Sequence, residues 1–186
     1  EILPKWTLVT VLSGGRRRPE MKIEYEEEAL KGVSKEFSFN IMSSLPGVPR
    51  AEKKLLEMLR SGWPEDKVYW KFAYKGSCED IFFLTTLEKV PGFRKAITEL
   101  LMSYRVIDVG FYVQPIEYGR ACHFECNIYY NNSESRQKEM LRSLYTEAAQ
   151  LLLDLGALFT RPYGVLADIV YARTTSYTET LKKLKA

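Results

Sequence analysis

The run Ala121-Cys122-His123-Phe124-Glu125-Cys126-Asn127-Ile128-Tyr129-Tyr130, with the apolar repeat that follows it to Leu155, decides how the chain reads. Side chains alternate across a strand with period two. One face of this strand carries Cys122, Phe124, Cys126, Ile128 and Tyr130 and is mostly apolar. The other gathers Ala121, His123, Glu125, Asn127 and Tyr129, so the only histidine in the chain shares a face with a carboxylate, an amide and a phenol. Such a row suits the wall of a pocket better than a dry core or plain solvent surface.

The segment after it is helical. Met140, Leu141, Leu144, Tyr145, Ala148, Leu151, Leu152 and Leu155 recur at three and four, Ser133 reads as the N-cap, and Gly156 stops the helix. Upstream, Asp80 to Leu87 reads as a strand buried on both faces. Pro91 opens a helix to about Tyr104, and Val106 to Val113 is the next strand. Pro115 and Gly119 mark the turn into 121–130. The result is a β-α-β-β-α order.

Further upstream, Trp6 to Leu12 is rich in β-branched residues and predicts a strand. Pro19 suits the first turn of a helix to about Lys31, with Gly32 as its stop. Phe37 to Met42 reads as a short strand, 44–49 as a loop, and 50–61 as a helix ended by Gly62 and Pro64. The aromatic stretch from Trp63 to Cys78 has no clear period and fits a binding cleft or core packing equally. The echo of β-α at 6–31 in β-α at 80–104 predicts duplicated ferredoxin-like β-α-β units. The fold class expected is α+β, one domain over 1–186, with an antiparallel sheet, helices on one face and the other face open.

Composition narrows the classes. The chain has 186 residues, 46% of them hydrophobic and 27% charged, which suits a globular protein and excludes general disorder. A net charge of +3 argues neither for nor against nucleic acid, the short runs Arg16–Arg18 and Glu26–Glu28 read as solvated loops, and no nucleic-acid partner is expected. No apolar run approaches a membrane span, and no signal-peptide pattern opens the chain. The three cysteines are too few for a disulfide framework. Cys122 and Cys126 lie roughly 13 Å apart along one strand, so free thiols in a reducing cytoplasm are expected. The chain opens without Met and closes on a helical pattern, as a domain excised from a longer protein would.

His123 and Glu125 are same-face neighbours suited to proton exchange near a substrate, because His titrates near neutrality and a half-buried carboxyl can be raised toward it. A structural hydrogen bond at a domain seam is the alternative. Arg161, in Leu158-Phe159-Thr160-Arg161-Pro162-Tyr163-Gly164, is a guanidinium among aromatic residues that can fork onto a carboxylate or serve as a plain salt bridge. Tyr163 and Tyr129 can hydrogen-bond a substrate or pack as ordinary amphipathic side chains. Phosphate-cradling glycine loops, nucleophile elbows and zinc spacings are absent from the sequence.

The stretches Gly119-Arg120-Ala121-Cys122-His123-Phe124-Glu125 and Arg161-Pro162-Tyr163-Gly164-Val165-Leu166-Ala167-Asp168 resemble the C-terminal cap of FAD-linked oxidases, in the vanillyl-alcohol oxidase and p-cresol methylhydroxylase group. The resemblance implies a substrate-binding cap closing over a flavin that is held by the protein's own FAD-binding domain. That domain and a flavin-touching tail lie outside this chain, so the chain alone is expected to be inactive. The substrate implied is a small alcohol, phenol or hydroxy acid that loses a hydride to FAD. His123 and Glu125 are the expected catalytic pair. Arg161 falls at a position similar to the family's anion-binding arginine, with Tyr163, Tyr129 and Asn127 as further substrate contacts. Thr160 stands where the family often has Tyr. In the 2-hydroxy-acid branch the strand carries a His-x-Gly-Asp-Gly-Asn-x-His pattern. Only Asn127 matches it here, and Tyr129 replaces the second His, so no metal is expected. Whether the protein forms a homo-oligomer stays open. A rival reading of the same residues is a non-catalytic ferredoxin-like binding module.

Overall fold

The computed structural model describes residues 5–45, 48–60 and 69–185. The chain divides into two compact units, 1–64 and 65–186, and each is described by itself.

In the first unit, α1 spans Pro19–Phe37 and α2 spans Ala51–Arg60. Pro19 opens α1 as the sequence predicts, but Gly32 does not end it. Ser38 does, in the left-handed region at φ 54° with its N–H bonded to the Ser34 carbonyl, while the Ser34 hydroxyl donates to the Phe39 carbonyl at 2.6 Å. A glycine costs about 1 kcal/mol inside a helix, which does not by itself terminate one. The strands expected at Trp6–Leu12 and Phe37–Met42 are absent: these residues pair with no sheet among the described residues. Trp6, Leu8, Val9 and Val11 are exposed. High β-propensity makes a strand only when a partner supplies the ladder. The expected duplication therefore keeps its helix but lacks its first strand.

The second unit holds the sheet: β1 Ser77–Thr85, β2 Val109–Ile116 and β3 Ala121–Tyr130, in the order β1-β3-β2, each pair antiparallel. The helices are α3 Val90–Ser103, α4 Ser135–Asp154, α5 Val165–Arg173 and α6 Thr175–Lys185. β1 and β2 are thus parallel, joined over α3, with β3 inserted between them. This is an α+β unit with its core on one face. Ile81, Phe83, Phe124, Cys126 and Ile128 of the sheet meet Phe93, Ile97 and Leu101 of α3 and Leu144, Ala148 and Leu152 of α4.

β3 has the bounds its alternation predicts. β1 begins earlier than expected, at Ser77. It is not buried on both faces: Ile81 and Phe83 are buried, whereas Phe82 and Leu84 are half-buried. β2 lies three residues later than expected and includes Pro115, which an edge strand tolerates because its outward side needs no ladder donor. Glu134 rather than Ser133 caps α4. Gly156, at φ 85°, ends it, with the Ala157 N–H on the Leu152 carbonyl at 2.9 Å and the Gly156 N–H on Leu153 at 3.0 Å. That is the double bond of a glycine-terminated helix. The chain then returns along the open edge of β1, where Leu158 forms an antiparallel bridge with Leu84. No helix among the described residues is long and apolar enough to cross a membrane.

Candidate functional site on the open sheet face

The open face is built by register. β3 contributes His123, Glu125, Asn127 and Tyr129; opposite them β1 sets Leu84, Phe82, Asp80 and Cys78. β2 adds Gln114 beside His123 and Tyr112 beside Glu125. A one-turn helix, Trp70–Phe72, leads into β1, and its Lys71 places a cation at the centre.

Lys71 is buried, at 6% exposure. Its Nζ donates to Asp80 Oδ2 at 2.7 Å and to Glu125 Oε1 at 2.5 Å. Asn127 Nδ2 donates to Asp80 Oδ1 at 3.0 Å and to Glu125 Oε1 at 2.5 Å. Cys78 Sγ lies 3.3 Å from Asp80 Oδ1. His123 Nε2 lies 3.1 Å from Glu125 Oε2. Same-face spacing alone puts residues i and i+2 about 7 Å apart; the side chains converge instead on one carboxylate.

Burial works against the Lys71 ammonium, but its bonds to Asp80 and Glu125 outweigh it and raise Lys71 above the ordinary 10.5. Burial likewise favours a neutral Glu125, but hydrogen bonds from Lys71, Asn127 and His123 outweigh it and hold Glu125 below the ordinary 4.5. This corrects the expectation of a carboxyl raised toward neutrality. Glu125 is an ionised acceptor and cannot be the proton donor at neutral pH. Facing an ionised acceptor, Nε2 is assigned as the protonated nitrogen of His123. Nδ1 then makes no hydrogen bond among the described residues. The imidazole lies between Phe82 and Tyr112, with ring centroids 5.8 and 6.1 Å away. A carboxylate on one nitrogen and an open second nitrogen is the geometry that orients a histidine for proton transfer. Burial, with Asp80 beside it, pushes the Cys78 thiol up to about 12, so it is no nucleophile.

The other expected residues divide. Asn127 is in the cluster, but its amide is spent on the two carboxylates. Tyr129 is half-buried, its ring edge-on to Tyr74 at 5.6 Å. Tyr163 donates from its hydroxyl to the Asp80 carbonyl at 2.9 Å and stacks on Phe82 at 6.1 Å, closing the β1 edge. Arg161 is exposed, between the Leu158 bridge and Tyr163. No hydrogen bond or ion pair joins it to the cluster among the described residues. Of the aromatic stretch 63–78, Trp63 lies outside the described residues. Sequence reading missed Lys71 and Asp80. Lys71 sits in an aperiodic aromatic run, and Asp80 meets Asn127 only through strand register. No group of three or more His, Cys, Asp or Glu among the described residues is arranged to hold a metal ion.

The cluster has a signed pH dependence. A depressed carboxyl stabilises the fold fully above its unfolded value and loses that contribution as pH falls through its folded value. A raised lysine contributes below its unfolded value and loses it as pH rises through its folded one. Unfolding free energy is therefore expected to fall below about pH 4.5 from Glu125 and above about pH 10.5 from Lys71, taking those ordinary values. Denaturant titrations across pH check this. Glu125→Gln should flatten the acid limb, and an unchanged limb would show that Glu125 is not held ionised.

Comparison with protein-family models, curated proteins and solved structures finds no match for this chain.

Proposed function

We propose that the chain is the substrate-binding cap of an FAD-dependent oxidoreductase that oxidises an alcohol, phenol or hydroxy acid. The observation that carries this is the His123–Glu125 pair, fixed by Lys71 and Asn127 on the open side of a sheet whose other side is packed. In the same reading, residues 77–158 are one ferredoxin-like unit whose fourth strand is reduced to the Leu158 bridge.

The face suits a flat conjugated ring: Phe82 and Tyr112 flank the imidazole, and the two carboxylates beneath share the Lys71 ammonium. The flavin, when bound, supplies the hydride acceptor. This chain supplies the rest. His123 Nδ1 takes the proton of the substrate hydroxyl, and Glu125 holds the imidazole in the orientation to do so. Arg161, exposed and without an ion pair among the described residues, takes an anionic group of the substrate. Tyr163 holds the Arg161 turn against β1, and Tyr129 and Asn127 shape the floor.

The full product of the gene is expected to show flavin absorbance in the visible. In that protein, His123→Gln should lower kcat by about 100-fold. Arg161→Ala should cost on the order of 3 kcal/mol in kcat/KM. A colourless protein supports the second reading, a non-catalytic ferredoxin-like module. That reading is favoured by one observation: Lys71, Asp80 and Glu125 also make sense as a self-contained structural cluster.

A further inference from the structure

The two edges of the sheet differ. On the β1 edge the outward backbone is covered: Leu84 exchanges bonds with Leu158 at 2.9 and 3.1 Å, and the Asp80 carbonyl accepts from the Tyr163 hydroxyl at 2.9 Å. The other edge is β2. Just before it begins, the Tyr129 N–H donates to the Asp108 carbonyl at 2.9 Å, which fixes the parity of the ladder. Residues of an antiparallel strand bond alternately toward one neighbour and toward the other side. Gly110, Tyr112 and Gln114 therefore bond β3, opposite Asn127, Glu125 and His123. Val109, Phe111 and Val113 turn their N–H and C=O outward, where no backbone partner meets them among the described residues. Pro115 falls on the same outward parity.

Proteins normally blunt such an edge with charge, proline, a bulge or a covering segment. β2 reads Val-Gly-Phe-Tyr-Val-Gln-Pro-Ile, without a charged residue and with its proline near the end. Its register with β3 runs unbroken from Val109 to Ile116, so there is no bulge. On the core side Val109, Phe111 and Val113 are only partly buried, and Ile107, just ahead of the strand, is 85% exposed. An uncharged, regular edge with apolar side chains is a template for another strand.

The strand is also complementary to itself. Antiparallel pairing with a second copy, about a twofold axis at Phe111, sets Val109 opposite Val113 and Phe111 opposite its own counterpart. Every outward N–H and C=O from Val109 to Val113 then finds a partner. Ile107 meets Pro115, and on the open face Gly110, without a side chain, lies opposite the Tyr112 ring. Centring the axis on Val113 instead would set Phe111 against Pro115, which has no N–H to give. The charges at the ends match as well. Arg105 stands six residues before Phe111 and Glu117 six after it, both exposed, so the basic end of each copy meets the acidic end of the other. Within its own chain Glu117 is engaged by Arg120 at 3.9 Å, the outer limit of an ion pair.

We propose that the chain dimerises through β2, joining two three-stranded sheets into one continuous sheet with a shared open face. The pairing does not depend on the flavin reading, since it uses none of Lys71, Asp80, His123 or Glu125.

The test is sedimentation velocity of the full chain over a concentration series up to about 100 µM, a range that captures weak specific interfaces, with amide hydrogen exchange on the same samples. A reversible monomer–dimer equilibrium is expected. The amides of Val109, Phe111 and Val113 should become protected as concentration rises, while those of Gly110, Tyr112 and Gln114 stay protected throughout. Val113→Pro removes only an outward donor, so it should abolish the dimer and leave the chain folded by circular dichroism; Val113→Thr should keep the dimer. Arg105→Glu or Glu117→Arg alone should weaken dimerisation on the order of 10-fold at low salt, since each turns two attractive pairs into repulsive ones. The two changes together should restore it. A monomer at every concentration would overturn the proposal, and so would a dimer that survives Val113→Pro or a double charge reversal no better than the singles. Outward β2 amides already protected in the monomer would mean that another segment occupies the edge, and would overturn it too.

Discussion

Replacing Lys71 with methionine is expected to lower the unfolding free energy by about 3 kcal/mol, the scale for removing one partner of a buried ion pair. The substitution keeps most of the side-chain volume and deletes the charge. Asp80 and Glu125, which share the Lys71 ammonium at 2.7 and 2.5 Å, would then face each other with no cation between them. Two adjacent carboxylates do not both stay ionised away from water, so one must take a proton. Adding Asp80→Asn and Glu125→Gln to the methionine should recover most of the loss, because a neutral hydrogen-bonded cluster no longer carries unpaired charge. Urea unfolding of the full chain measures both. A single substitution costing under about 1 kcal/mol, or a triple variant no better than the single, would mean that the ammonium does not neutralise the pair.

Truncating Phe83 to alanine is expected to cost about 4 kcal/mol, the range for emptying a core aromatic position. Phe83 is 0% exposed, and its ring lies 4.7 Å from Phe93, 5.1 Å from Phe124 and 5.7 Å from Phe159 by centroid. Phe82→Ala, one residue earlier, should cost about 1–2 kcal/mol, since Phe82 is half-buried on the opposite face. The contrast measures register: a slip of one residue would exchange the two faces. Equal losses at both positions, or a larger loss at Phe82, would place β1 out of register.

The strand 121–130 and the helix after it were legible because each carries a period that survives without neighbours. Alternation puts Phe124, Cys126 and Ile128 on one side of β3, and spacing at three and four puts Leu141, Leu144, Ala148 and Leu152 on one side of α4. Gly156 was legible as a stop because the left-handed turn suits a residue without a side chain. Trp6 to Leu12 misled for the converse reason. Its composition suits a strand, but a strand is a relation between two segments, and its residues have no ladder partner among those described. Pro115 misled similarly, since whether proline is tolerated depends on which strand forms the edge.

The candidate site divides along the same line. That His123, Glu125, Asn127 and Tyr129 share a face follows from the geometry of one strand, and so from the sequence by itself. That Glu125 is ionised, that Nε2 of His123 points at it, and that Asp80 joins the group was decided by tertiary structure. It took the pairing of β1 with β3 and the delivery of Lys71 from a turn 54 residues earlier in the chain. The physical reason is that a side chain's direction is local, whereas its charge state is set by whatever the fold brings within a few ångströms of it.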